Sequence, residues 1–208
     1  MDILYILLGW FLGILSPAII SKISNHYKKI AIQRVVIEEL KDTKKRLTGI
    51  PLKVYSSYSD LNIKCLEWLK KETNNFNDLI SDDDEKEKYQ ELLKKDVKLE
   101  NIVKLFNINS TTDNSAFHFK KIELGVINSN QINFEILDNN FLTKILEIGF
   151  QVRVYNEEIQ NVNEYLKMTF DSSVTEINHQ IIQNEIKRKN YTIAEKAMLI
   201  VKKINRVI

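Results

Sequence analysis

Three histidines, His26, His118 and His179, and one cysteine, Cys65, are the side chains best suited to metal ligation or nucleophilic attack. A zinc site asks for several such ligands at short spacing, for instance two histidines four apart on one helix face, and no pair here has it. Each histidine is therefore read as a surface or partly packed residue. Cys65 stands in NIKCLEWL, on or beside an apolar stripe and without an adjacent base, which is the setting of a small buried thiol rather than a nucleophile. As the single cysteine it closes no intrachain disulfide, and that suits a reducing compartment.

Carboxylates are more plentiful but no better arranged. The Glu157-Glu158 pair sits in a helical pattern, but a two-iron bundle site requires a Glu-x-x-His motif from each of two helices, and the sequence holds a single one, Glu176 to His179. Asp82 to Glu85 form a dense block, whereas a calcium loop alternates its oxygens, turns on a central Gly and closes with Glu. Both groups are read as solvated faces. No G-x-S-x-G elbow and no phosphate-cradling Gly-Lys loop occurs. The expectation is a protein that is not an enzyme and holds no cofactor and no metal. An enzymatic alternative rests only on Phe117 to Asn133 serving as a lid.

Charge and composition locate the chain more firmly. It has 208 residues, 28% charged and 44% hydrophobic, with a net charge of +2 that argues against generic phosphate binding. The basic excess is local: residues 22 to 53 hold nine Lys or Arg against three Asp or Glu, whereas 54 to 100 hold eight against twelve. Five Gly and two Pro are too few for the turns of an all-β fold, so the expected class is all-α.

That basic segment follows an apolar one. From Ile3 to Ile20 there are eighteen consecutive uncharged residues. As a helix at about 1.5 Å per residue they span about 27 Å, close to the hydrocarbon thickness of a bilayer. Residues 1–21 are accordingly read as a transmembrane anchor, with Ile3, Leu7, Trp10, Phe11, Leu15 and Ile19 facing lipid and Pro17 bending the helix without ending it. A cleavable signal peptide needs a basic start and a polar end, and neither is present. A core helix of a soluble domain predicts polar interruptions on one face, and Ser16 is the sole one. Gly9 and Gly13, four apart, permit close approach of a second helix.

Lys22, Lys28, Lys29 and Arg34 follow the anchor while Asp2 precedes it, so the positive-inside rule sets a short external N-terminus and a cytosolic body in the cell inner membrane. The same four cations are candidates for anionic lipid headgroups, in competition with a plain topological and solubilising role. Residues 22–50 continue as a basic amphipathic stalk, with Ile23, Tyr27, Ile30, Val36 or Ile37, Leu40 and Leu47 at steps of three and four. Gly49 and Pro51 mark its stop or kink.

Residues 51–208 are read as an antiparallel helical bundle with an irregular insert at 107–133. One helix is expected to start at Ser81 to Asp84 and to bury Tyr89, Leu92, Leu93, Val97, Ile102, Val103 and Phe106. Another runs from about Phe134 on a stripe of Phe141, Ile145, Ile148, Val152, Tyr155, Ile159, Val162 and Leu166. The capping box Ser173 to Glu176 starts the last long helix, and a second box, Thr192 to Glu195, predicts a break near Asn190-Tyr191. The basic runs at Lys187 to Tyr191 and Lys202 to Arg206 are interrupted by Glu185 and Glu195 and lack a recognition motif, so nucleic acid is not an expected partner.

The layout resembles a loose set of bacterial single-pass membrane-anchored proteins of unassigned function. The resemblance is carried by LLGWFLGILSPAIISKI, by RVVIEELKDTKKRL after it, and by LGVINSNQINFEILDNNFLTKILEIGFQVRVYNEEI. It implies an anchor and a helical bundle and transfers no active site. The expected partners are membrane lipid, a protein docked by the bundle, and a second copy of the chain. The expected function is a tethered body that docks a partner or senses a membrane-proximal signal, in its most specific form within a bacterial defence or stress system; a structural homo-oligomer built through the anchor is the alternative.

Overall fold

The computed structural model describes residues 2–72, 98–109, 119–129, 134–171 and 173–208, and all regular structure among them is helical. The acidic helix start expected at Ser81 to Asp84, the stripe residues Tyr89 to Val97, Phe117 and His118 lie outside the described residues.

Helix α1, Asp2–Thr48, runs 47 residues without a break at Pro17. Pro17 removes a single backbone donor, and the turns on either side keep theirs, so the helix persists. It stops at Gly49, where Pro51 opens α2, Ile50–Ser57, in a first-turn position that needs no N–H. Ser59 then adopts φ 55°, the single left-handed non-glycine among the described residues, and turns the chain toward α3, Ile63–Glu72. Asn62 caps that helix, its Oδ1 accepting from the Cys65 amide at 3.0 Å. Helix α4 spans Leu99–Asn109.

The irregular insert is held by two side chains from remote elements. Asn156 accepts from the Ile122 amide at 2.9 Å and donates to the Ile122 carbonyl at 2.8 Å, so it mimics one rung of a sheet for a segment that has no neighbouring strand. Glu39 of α1 accepts from the amides of Val126 at 2.7 Å and Ile127 at 3.1 Å, satisfying the free donors of the single-turn α5, Gly125–Asn128. A 3-10 turn, Phe134–Ile136, leads into α6, Asn139–Met168, which pairs antiparallel with α7, Glu176–Ile204.

The α6–α7 pairing is the most extensive among the described elements, and its core follows the stripe predicted from spacing: Ile145, Ile148, Val152, Tyr155, Ile159 and Val162 are buried, with Phe141 and Leu166 packed at the margin. From α7 come Ile186, Ile193, Ala194, Ala197, Ile200, Val201 and Ile204. Truncating one of the fully buried isoleucines to alanine removes about 2 to 5 kcal/mol. Val36, Leu40 and Leu47 of α1 complete this core, so the segment 22–50 divides: its last turns are packed and its first are not. A smaller cluster joins α2, α3 and α4 through Leu52, Leu61, Cys65, Leu66, Leu69 and Ile102.

Two local expectations are corrected. The cap of α7 is Thr175, whose side chain accepts from the Asn178 amide, while Ser173 turns back to Asp171 at 2.7 Å. No break occurs near Asn190-Tyr191: α7 is continuous, and the Thr192 hydroxyl donates to the Arg188 carbonyl at 3.2 Å instead of capping a new helix. Ile193, Ala194 and Ala197 are all fully buried, and a break there would expose them.

Candidate functional site

Helix α1 is long and apolar enough to cross a membrane, and none of its 18-residue apolar window is buried. Ile3, Leu7, Trp10, Phe11, Leu15 and Ile19 are all exposed, Trp10 to 66%. Sequence decides this outcome locally: with apolar residues on every side of the helix, no one face can satisfy them all against a single protein neighbour. A Cβ added at Gly9 or Gly13 would meet nothing within 4 Å, so these glycines have no packing partner among the described residues.

The four candidate headgroup cations part company. Lys22, Lys28 and Arg34 are exposed, whereas Lys29 reaches Asp138, just ahead of α6, at 2.6 Å. That ion pair ties the start of α6 to the first turns beyond the apolar stretch. Further along, Lys44 and Asn205 converge on the Glu72 carboxylate at 3.1 and 2.6 Å, and Tyr58 accepts from Asn190 Nδ2 at 2.8 Å. These contacts run α7 opposite to α1 and α2. The α6–α7 turn therefore lies at the end of the body away from the apolar stretch. Around it Met168, Phe170, Ile177 and Ile181 are exposed, Phe170 to 85%.

The remaining reactive side chains stay apart. His26 lies one turn before Lys29 with its ring edge-on to Tyr27, and His179 lies beside the α6–α7 turn, about 45 Å away along α6 at 1.5 Å per residue. Among the described residues no group of three or more His, Cys, Asp or Glu is placed to hold a metal. Burial pushes the Cys65 thiol up to about 12, so it stays protonated at neutral pH and offers no thiolate. Glu158 pairs with Lys189 at 2.7 Å and holds it against the α6–α7 core.

The basic run Lys187 to Tyr191 is likewise engaged within the fold. Lys187 stands 5.2 Å from the Tyr58 ring centre and 5.9 Å from that of Tyr191, Arg188 pairs with Glu185 at 2.6 Å, and Lys189 pairs with Glu158. Tyr55 and Tyr58 flank Tyr191 at ring separations of 5.6 and 5.4 Å. Sequence reading does not single out this tyrosine cluster. Its one signal is the spacing of Tyr55 and Tyr58, a single turn apart, since Tyr191 arrives from more than a hundred residues away. In the second basic run Lys203 pairs with Glu147, which lowers that carboxyl below its usual range through the hydrogen bond they share.

No family model matches this chain, and neither a curated protein nor a solved structure matches it. What the arrangement can do therefore rests on its own geometry: an apolar helix that no described residue covers, joined without interruption to a packed helical body.

Proposed function

We propose that α1 anchors this chain once across a cell inner membrane, N-terminus outside, and that the helical body acts at the cytosolic face by docking a partner or responding to a membrane-proximal signal, with no chemistry of its own. The observation that carries the reading is the contrast along one continuous helix. Its apolar window is wholly unburied, yet the same helix enters the core from Val36 onward. Lipid is the solvent that accepts such a surface at no cost to the fold. The unbroken helix beyond Ile20 then ties the body to the bilayer, the Lys29–Asp138 pair standing nine residues on, about 14 Å along the helix at 1.5 Å per residue. Orientation follows from Lys22, Lys28, Lys29 and Arg34 on one side of the span.

The test is direct. The chain is expected to stay in the membrane pellet after an alkaline carbonate wash, and a C-terminal reporter that works only outside the cytoplasm is expected to be silent. Recovery in the supernatant would end the anchoring reading, and an active reporter would reverse the orientation. For docking, mild crosslinking of intact membranes is expected to join the body to a second protein species; products containing only this chain count against a partner.

A further inference from the structure

We infer that two copies of this chain associate in parallel through one face of α1, formed by Gly13, Ser16, Ile20, Ile23, Tyr27 and Ile30 and extended at its start by Gly9. The spacing between these positions alternates four and three residues throughout, which is the seam of a two-stranded coiled coil. From Gly9 to Ile30 it covers three heptads.

No described residue covers this face. Ile20, Ile23, Tyr27 and Ile30 are exposed by 62, 52, 68 and 41%, and Gly9 and Gly13 face open space. At about 100° per residue the seam lies roughly 160° round the helix from Val36, Leu40, Thr43 and Leu47, the side that α1 turns to its own core. The body therefore leaves the approach clear. Beyond Ile30 the same side carries Arg34, Glu38, Lys41 and Lys45, all exposed, and the apolar seam ends there.

Two features identify the occupant as a second copy. First, the charge pattern is self-compatible: the positions flanking the seam outside the apolar stretch are Ser24, His26, Ala31 and Gln33, with no Lys, Arg, Asp or Glu among them. Lys22, Lys28 and Lys29 fall on the far side, so two identical faces meet without like charges opposed. A face built to lie in the headgroup layer would instead carry its cations along the apolar margin. Second, the composition changes where the solvent changes. Within the apolar stretch the seam is Gly9, Gly13 and Ser16 and then Ile20 at its end, the three small residues letting helices pack closely where lipid supplies no hydrophobic drive; beyond it the seam is Ile23, Tyr27 and Ile30, which gain by leaving water. The pairing rests on the anchored reading in one respect, because a shared orientation in one bilayer makes the two helices parallel and in register.

Single-cysteine crosslinking of the full chain in isolated membranes tests it. Ile23→Cys, Tyr27→Cys and Ile30→Cys are compared with Asn25→Cys and Lys28→Cys under a mild oxidant. The unaltered chain, whose lone thiol is buried, sets the baseline. A disulfide needs Cα atoms within about 7 Å, so the seam positions are expected to give at least about fivefold more covalent dimer than Asn25→Cys or Lys28→Cys. Adding Ile23→Glu to Tyr27→Cys is expected to abolish that dimer. Equal yields at all five positions, or no dimer at the seam, would overturn the inference, the latter being the result expected if lipid or an unrelated protein covers this face. Carbonate extraction of the same samples separates the two claims: seam-periodic dimers in the supernatant would end anchoring but keep the pairing, whereas pelleted chain without the period would end the pairing alone.

Discussion

Tyr155 is fully buried in the α6–α7 core, and its hydroxyl has no partner among the described residues. Burial raises its ionisation above the usual phenol value, as it does for Cys65, which is pushed up to about 12, and for Tyr191, where burial acts together with a hydrogen bond to Asp60. In all three the folded chain keeps its proton to higher pH than the unfolded chain does. The unfolded state releases protons from about pH 8.5 for the thiol and about pH 10 for the phenols, so stability is fully present below that range and declines as pH rises through it. Urea midpoints are expected to be level between about pH 6 and 8 and to fall above about pH 8.5. Tyr155→Phe removes an unpaired buried hydroxyl while keeping the ring, so it is expected to stabilise the fold by about 1 kcal/mol at pH 7 and to flatten the alkaline decline. A lower midpoint in that variant would show that the hydroxyl contributes a bond in solution.

At the scale of elements, α7 separates two threonines that look alike in sequence. Thr175 is the cap and Thr192 is mid-helix, so Thr175→Ala is expected to cost about 1 kcal/mol and Thr192→Ala less than about 0.5 kcal/mol in chemical denaturation. Equal costs would mean that the box at Thr192 acts as a helix start after all. The confusion is instructive, because a capping box is four residues of local chemistry, and whether it is used depends on packing outside it. Ile193, Ala194 and Ala197 belong to the core, and their burial carries the helix through the signal. The α6 stripe was legible for the opposite reason: eight apolar residues at one period leave a helix a single face to bury. Gly49 and Pro51 were legible too, since their backbone restrictions act wherever they stand. What spacing could not reveal were the long-range tethers. Glu39 reads as one acid in a basic stretch until α5 presents two free amides to it, and Lys29 reads as a headgroup cation until Asp138 meets it. The seam on α1 lies between these cases: its spacing is visible in sequence, but only the fold shows that the opposite face of the helix is taken.

For the molecule as a whole, the decisive question is whether the first twenty residues belong to the fold or only to its surroundings. The buried residues of both cores start at Val36, with Ile32 packed at the margin, and no residue before Val36 with a described side chain is buried. Deleting residues 2–21 therefore removes no core contact and keeps the Lys29–Asp138 pair that braces α6. The shortened chain is expected to keep its helical circular dichroism and its melting temperature to within about 4 °C, corresponding to less than about 1 kcal/mol, while leaving the membrane fraction. The full chain placed in water without detergent faces the reverse situation. Leaving a side chain such as Trp10, Phe11 or Leu12 in water instead of burying it forgoes about 1.5 to 3 kcal/mol each, so a stretch of this length is expected to drive aggregation without unfolding the body. Light scattering and circular dichroism on one sample distinguish these outcomes, because particles that grow while helicity and tertiary melting persist locate the fault in the exposed helix alone. A truncated body that melts early or loses its cooperative transition would instead make the apolar helix part of the folding unit, and anchoring would then have to draw on surface the core needs.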